Sequence, residues 1–541
     1  MIMENTEINK DISKTPMPEN ETGAPIAKGI FWPAVITVVA VILFMIIFEA
    51  ESKKAISFIF SFCTDQLGFI YIWFGIFALA VCLWIGFGKY GDIRLGGPDA
   101  RPEFSRWSWI AMFFCSGVGT SLIFWSSIEW SYYYGAPPFG IAAKSQTAAE
   151  WAGMYGIFHW GPSGWAIYLL SAFPIGYAYY NRKMSGLRLS TACAGVIGEK
   201  RALGVVGKII DVLMIFGLVG GTGTTLAAGT PMLAEAICQL VGVPHTPGVD
   251  LIVVIIWTAI FTISVTLGLK RGIKILSDIN VVAVFFLCAI IFVLGPTFFM
   301  VNMFTDSMGL LVQNYARMAF YTDPIRRSMF PQWWTIFYWA WWVAYGPYMG
   351  IFIARISKGR TFRDLTATVI LAGSCGCALF FLIFGNNAMH AELNDIYPVL
   401  EVMKTQTPSA AIIGVLMQMP MKWLILPLFV FVGFVYSGTT VDSSAYALAT
   451  VSSKDLKEGQ EPILLNRGFW AIALGGIALV LMKLGGLGPL KTASLVVSVP
   501  LIFLMVISVF SLFKWLKEDY AHLNKSRRLE TDAEKATSKI L

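Results

Sequence analysis

Long apolar stretches, separated by short polar or Gly/Pro-rich connections, organise this chain of 541 residues. Stretches near or above ~18 residues predict membrane-spanning helices. About twelve qualify, at 30–50, 68–88, 107–128, 151–180, 205–240, 250–268, 278–300, 333–356, 365–386, 423–450, 468–486 and 492–514. The fourth and fifth are long enough to be tilted or broken. Segments 305–320 and 408–420 are too short or too polar to span and read as helices lying on the outer surface. The first of these opens at Thr305-Asp306-Ser307, good N-cap residues. The pattern predicts an all-α polytopic membrane protein. It has a polar, disordered N-terminal tail over 1–28, a membrane domain over 29–514 and a C-terminal tail over 515–541.

Composition agrees and excludes the soluble classes. Hydrophobic residues make up 56% and charged residues 13%, against ~25% charged in an ordinary globular domain. The net charge of +7 could suggest nucleic acid, but basic cytoplasmic loops account for it in so apolar a chain, so no nucleic-acid partner is expected. Loops 89–106, 181–204, 269–277, 355–364 and 451–467 hold about 19 Lys and Arg, and the alternate loops about 10. Both termini are therefore expected in the cytoplasm, with the chain in the cytoplasmic (inner) membrane. The basic run Lys525-Ser526-Arg527-Arg528 reads as a solvated tail that sets topology, with lipid or regulatory contact as the alternative. The Cys and His residues are too scattered for a disulfide framework or a metal site. No converging His/Asp/Glu set marks an enzyme, and no cofactor is expected.

Two spans carry helix breakers. The third holds Cys115-Ser116-Gly117-Val118-Gly119-Thr120-Ser121, and the eighth holds Gly346-Pro347. They lie five spans apart, as two inverted five-helix repeats behind two leading helices would place them. Interrupted helices in matching positions point to a transporter binding site. A kink or close helix packing through small residues is the structural alternative.

Aromatics make up 14% of the chain and include 19 Trp. On a helix, Trp334, Tyr338, Trp341, Trp342 and Tyr345 of the eighth span share an arc of about 100°, with Trp339 elsewhere. Trp334 lies ~12 Å further out than Trp342. An interfacial belt explains Trp333, and Trp109 reads the same way. Trp341 and Trp342 sit too deep for a belt. A face of π-systems without a cation of its own suits a ligand that brings one, and quaternary ammonium groups are the known partners of aromatic cages. Trp125, Glu129, Trp130, Tyr132, Tyr133 and Tyr134 could supply the other wall.

The tenth span carries Ser437-Gly438-Thr439-Thr440-Val441-Asp442-Ser443-Ser444. Hydroxyls and exposed carbonyls are hard ligands suited to Na⁺, and an Asp inside a span marks a functional site by default. Hydroxyls bonding back into their own helix, with Asp442 paired structurally, are the alternative. Thr222, Thr224 and Thr225 are weaker candidates. His159, in His159-Trp160-Gly161-Pro162, reads as a packed His at a helix break.

Over roughly residues 30–515 the sequence resembles the betaine/choline/carnitine transporter family. The most specific part is Phe337-Tyr338-Trp339-Ala340-Trp341-Trp342 continuing through Gly350-Ile351-Phe352-Ile353-Ala354-Arg355-Ile356-Ser357-Lys358-Gly359-Arg360-Thr361. Phe158-His159-Trp160-Gly161, the Tyr-Thr-Asp-Pro of 321–324 and Pro137-Pro138-Phe139-Gly140 agree. The resemblance implies the leucine-transporter-type fold, with inverted repeats of helices 3–7 and 8–12. It implies a homotrimer in the lipid bilayer and alternating-access transport of a trimethylammonium compound such as glycine betaine or carnitine.

By matching positions, Trp341, Trp342, Tyr345 and Tyr132 would form the central cage and Trp334 an outer, transient site. Gly117, Val118 and Gly119 would form the unwound stretch beside the substrate. Tyr132-Tyr133-Tyr134, Glu129 and Met349 resemble the carnitine/γ-butyrobetaine exchangers, in which an Arg takes the place of sodium. Here that position is Asn280. The Gly117-x-Gly119 pattern resembles the sodium-coupled carriers, in which the backbone near Cys115 and Val118 plus hydroxyls matching Thr439 and Thr440 holds the ion. The expectation is Na⁺-coupled symport, with Na⁺-independent substrate:product antiport as the alternative.

Overall fold

The computed structural model describes residues 23–266, 273–484 and 487–521. Over the described residues, all twelve apolar runs lie mainly on helix. The principal helices are α1 (Lys28–Ile47), α2 (Gly68–Phe87), α3 (Arg106–Gly135), α4 (Gln146–His159), α5 (Pro162–Gly176), α6 (Val205–Val241), α7 (Pro247–Thr266) and α8 (Lys274–Leu294). They continue with α9 (Thr297–Ala319), α10 (Phe337–Ile356), α11 (Phe362–Phe380), α12 (Pro408–Met417), α13 (Lys422–Val451), α14 (Leu464–Leu484) and α15 (Leu487–Asp519). Among the described residues there is no strand beyond three isolated bridges.

Eight helices among the described residues are long and apolar enough to cross a membrane, fewer than the twelve apolar runs. Local chemistry sets two of the runs, the fourth and the eighth, apart. The fourth run is cut at Trp160-Gly161, and Pro162, which has no N–H to give, opens α5. The eighth run is so rich in Trp and Tyr that its hydropathy is low.

Burial separates the helices into inner and outer sets. The most apolar window of α3 is 94% buried inside the protein, that of α7 only 28%. Trp73 on α2, Ile255 on α7 and Val293 on α8 are exposed apolar side chains. In water such faces would be a liability; against hydrocarbon they are the matched surface. Every side chain of α10 is buried, and α10 packs most heavily on α5.

Four helix starts follow from capping, Ser145 opening α4 by accepting from Ala148 N–H. The side chains of Ser105, Thr361 and Thr407 accept from the N–H of Ser108, Asp364 and Ala410 and begin α3, α11 and α12. The expected start at Thr305-Asp306-Ser307 is corrected. Gly295-Pro296 ends α8 and α9 opens at Thr297, so Thr305 is interior and its hydroxyl bonds back to the Val301 carbonyl at 2.8 Å.

Ala24 N–H donates to Glu461 O (2.8 Å), Lys454 N–H to Pro25 O (2.7 Å) and Ala27 N–H to Ser452 O (2.7 Å), so residues 24–27 are strapped to the segment after α13. At the other end α15 continues to Asp519. Residues 1–22 and the basic run at 525–528 lie outside the described residues.

The two expected breaks behave differently. Gly119 in α3 has φ 53° and ψ −157°, a combination essentially reserved for glycine. Pro347 lies inside a continuous α10. The second interruption is therefore corrected: proline removes one backbone donor there without unwinding the helix.

Candidate functional site

A cavity with about 280 Å³ of non-atom space lies where α3, α5, α6, α10 and α13 meet. It is lined by Gly117, Val118, Ser121, Trp160, Tyr168, Thr225, Trp341, Trp342, Tyr345 and Thr440, none of them charged.

Five of the lining rings form a closed circuit. Centroid separations are 5.6 Å for Trp160–Trp341, 6.4 Å for Trp341–Tyr345 and 6.4 Å for Tyr345–Tyr168. Tyr168–Trp342 at 4.3 Å and Trp342–Trp160 at 5.8 Å complete it. Glycines make the room for it. A Cβ on Gly164 would lie 2.5 Å from the Trp342 ring, and one on Gly221 would lie 2.6 Å from the Tyr345 ring. The Tyr345 hydroxyl is fixed by Thr225 at 2.9 Å. The Trp341 indole N–H is buried without a hydrogen-bond partner, so the cavity wall offers an uncommitted donor.

Behind the cage stands a buried polar network that ties α3, α4 and α10 together. Glu129 Oε2 accepts from the Trp160 indole N–H at 3.0 Å and from the Tyr338 hydroxyl, and Oε1 accepts from the Tyr133 hydroxyl. His159 Nδ1 lies 2.8 Å from the Tyr133 oxygen and Nε2 lies 3.0 Å from Thr335 Oγ1. With Tyr133 donating to Glu129, the imidazole carries its proton on Nδ1 and accepts from Thr335. Glu129 thus anchors Trp160, one wall of the cage.

The opposite wall is backbone. Around the Gly119 break, side chains from other helices meet the α3 carbonyls. Thr440 lies 3.2 Å from Cys115 O, the Tyr348 hydroxyl donates to Ser116 O at 3.3 Å, and the Tyr168 hydroxyl donates to Gly117 O at 3.0 Å. Ser121 of α3 itself donates to Val118 O at 2.5 Å. Gly119 faces Thr440 so closely that a Cβ would collide with its hydroxyl. Thr439 and Thr440 also donate to the Tyr436 carbonyl at 3.0 and 3.1 Å. A hydroxyl that donates to a carbonyl keeps its lone pairs for a cation.

Beside Cys115, Asn280 Nδ2 lies 3.7 Å from the thiol sulfur. Asn280 Oδ1 and Ser277 Oγ are buried without partners. These orphaned oxygens, with the Cys115 carbonyl and the two threonines, suit an alkali cation. No cluster of three or more His, Cys, Asp or Glu that could hold a transition metal occurs among the described residues.

Of the residues singled out in the sequence, Gly117, Val118, Trp341, Trp342, Tyr345 and Thr440 line the cavity together. Gly119, Cys115 and Thr439 lie next to it through Thr440 and its helix. Met349 sits beneath the break, its methyl 3.2 Å from where a Gly117 Cβ would be. Tyr132 is not in the lining set. It pairs with Trp334 at 5.2 Å, and Trp125 and Tyr133 join them at 6.2 and 4.9 Å from Trp334. The expected five-ring stripe is therefore split. Trp334 sits in the wide turn Gln332–Ile336 that precedes α10, which shifts its phase from that of a regular helix. Trp109 is corrected as well. It is fully buried, donates to Ser357 Oγ at 2.9 Å and carries the Arg360 guanidinium over its ring.

Tyr168 is not singled out by the sequence, because it comes from a segment whose apolar pattern is unremarked, and Ser121 stands out only as part of the α3 break. Trp160 and Thr225 were visible as residue types but not as cage components. The Trp165-x-x-Tyr168 spacing, one turn of helix after a Gly-Pro start, was the available signal.

An all-helical membrane protein with an uncharged aromatic cavity beside a broken helix is, as a class, a transporter. Residues 29–521 match the betaine/carnitine/choline family transporter profile. The chain belongs to that family: it is a multi-pass membrane transporter and not an enzyme. The membership brings the leucine-transporter-type fold. The fold is also similar to a solved Na⁺-coupled sialic acid symporter in a substrate-bound outward-open state, at 12% identity, 85% coverage of this chain, 93% of that chain and a TM-score of 0.48.

Proposed function

We propose that the chain moves a trimethylammonium compound, glycine betaine or a carnitine-like betaine, by Na⁺-coupled symport and alternating access. The observation that carries this reading is the closed circuit of Trp160, Trp341, Trp342, Tyr345 and Tyr168 around an uncharged cavity. A quaternary ammonium cannot donate hydrogen bonds, so ring faces replace its water shell. The unpaired indole N–H of Trp341 is the donor for the substrate carboxylate.

Thr439, Thr440 and the carbonyls of Cys115 and Val118 are the residues that would hold Na⁺. When bound, the ion supplies positive charge at the α3 break and ties α3 to α13. Thr440 already bridges these helices, and Gly119 permits the approach. Trp334 and Tyr132 form an outer aromatic pair that receives the substrate on its way to the cage. The protein works as a homotrimer in the cytoplasmic membrane, with both termini inside.

Uptake of labelled glycine betaine and carnitine into proteoliposomes tests this, with and without Na⁺ and with and without internal substrate. The expected result is uptake that requires Na⁺ and needs no preloading. Equal uptake in Na⁺-free buffer, or uptake only into preloaded vesicles, would replace symport with substrate:product exchange on the same cage.

A further inference from the structure

The link between α6 and α7 carries a cluster of titratable side chains far from the cage. α6 ends at Gly242, whose φ of 71° is left-handed, and α7 opens at Pro247. Pro244 and Pro247 flank His245 and stiffen the link that presents it. His245 Nε2 lies 2.8 Å from Oδ1 of Asp250, in the first turn of α7, and Nδ1 lies 3.1 Å from Oε2 of Glu235 on α6. Gln239 holds the other Glu235 oxygen at 3.1 Å. Cys238 faces both carboxylates and Tyr397 faces Glu235. Among the described residues no Lys or Arg forms an ion pair with Glu235 or Asp250, so the positive charge that meets them is that of His245.

A neutral imidazole has one N–H. It can donate to one carboxylate, and its other nitrogen then turns a lone pair toward the second. The imidazolium presents an N–H to each, so the arrangement is complete in the charged form. Histidine changes charge between pH 5 and 8. Stability from these contacts is therefore present at acid pH and is lost as rising pH removes the proton. The side chains are 12–20% exposed, so bulk protons reach them. α6 connects the cluster to the cage. Thr225, which fixes the Tyr345 hydroxyl at 2.9 Å, lies ten residues and ~15 Å of rise from Glu235 along the same helix. Pro231, between them, withholds one backbone donor, so the end of α6 beyond it is held in place mainly by what it touches.

We propose that His245, with Glu235 and Asp250, is a proton-operated clamp: charged, it ties the end of α6 to α7 and holds Thr225 and Tyr345 in the geometry that binds substrate; uncharged, it lets that end go and weakens binding. The clamp rests on the substrate reading above only for the ligand used to read its effect on the cage.

Thermal melting of the full chain in lipid nanodiscs, at about pH 5.5 and about pH 8.5, reads the clamp without substrate. His245→Gln, polar but uncharged, is expected to melt below the wild type at the acid pH and together with it at the alkaline pH. His245→Arg, permanently charged, is expected to behave alike at both. Calorimetric binding of glycine betaine reads the consequence. The affinity of the wild type relative to His245→Gln should fall by about 2–5-fold from the acid to the alkaline pH, the size of a partly exposed ion pair. Glu235→Gln combined with Asp250→Asn removes the partners instead of the imidazole and should abolish the same pH dependence, which keeps the test decisive if the Gln variant folds poorly. A melting difference of equal size at both pH values, or a relative affinity that does not change with pH, overturns the proposal. No binding of glycine betaine to the wild type overturns the substrate reading, and the melting difference then decides the clamp by itself.

Discussion

Helices α3 and α10 face the same cavity, and they serve it by opposite means. α3 offers backbone. Gly119 turns the chain out of helical conformation, and the carbonyls of Cys115 to Val118 are each met by a hydroxyl. α10 stays helical through Pro347 and offers rings. The difference follows the chemistry of the two ligands proposed. A small alkali ion needs hard oxygen donors at short range, which an opened helix exposes. A quaternary ammonium is large and soft and is better met by π-faces, which a continuous helix positions rigidly.

The largest effect expected from breaking this comparison is at Gly119. Gly119→Ala forces an L-residue into φ 53°, ψ −157° and drives its methyl into Thr440. Uptake in proteoliposomes should fall on the order of 100-fold, as strain of about 3 kcal/mol implies. Wild-type uptake would mean the break is not required. Next comes the ring wall. Trp342→Ala should weaken glycine betaine binding, read by calorimetry, by about 5–30-fold, the equivalent of ~1–2 kcal/mol per desolvated cation–π contact. Unchanged affinity would remove Trp342 from the site.

A smaller effect separates the two means. Thr440→Val keeps shape and removes a hydroxyl that reaches the Cys115 carbonyl at 3.2 Å. The Na⁺ concentration for half-maximal uptake should rise on the order of tenfold, the size of a lost hydrogen-bonding group. Substrate affinity at saturating Na⁺ should stay as it was; an equal loss of both would mean the two walls are one site. The smallest effect is expected at Pro347. Because α10 is continuous there, Pro347→Ala restores a helical donor and should leave uptake within about twofold and the melting temperature no lower. Loss of transport would show that α10 does open at this point during the cycle.

Much of this arrangement is legible in the sequence because it is local. Trp341, Trp342 and Tyr345 share a helix face by spacing alone. Gly117-x-Gly119 lies inside a long apolar span, and the adjacent Thr439 and Thr440 stand out in another. What is not legible depends on which helices become neighbours. Trp160 and Tyr168 complete the ring circuit from α5 and the turn before it, and nothing local says that this segment lies against α10. Tyr132 and Trp334 find each other because the wide turn at Gln332–Ile336 changes the register. Pro347 misleads in the other direction: a residue that usually interrupts a helix is accommodated inside one. The Thr305 start misleads because Gly295-Pro296, ten residues earlier, is the stronger boundary.

The central claim is that the cavity holds its ligand through positive charge against ring faces and not through shape. Calorimetric binding of glycine betaine compared with 3,3-dimethylbutanoate tests it most directly, since the second replaces the ammonium nitrogen by carbon and keeps the trimethyl shape and the carboxylate. The account predicts that glycine betaine binds at least about tenfold more tightly, a preference that largely disappears in Trp342→Ala. Equal affinity of the two compounds for the wild-type protein would contradict it.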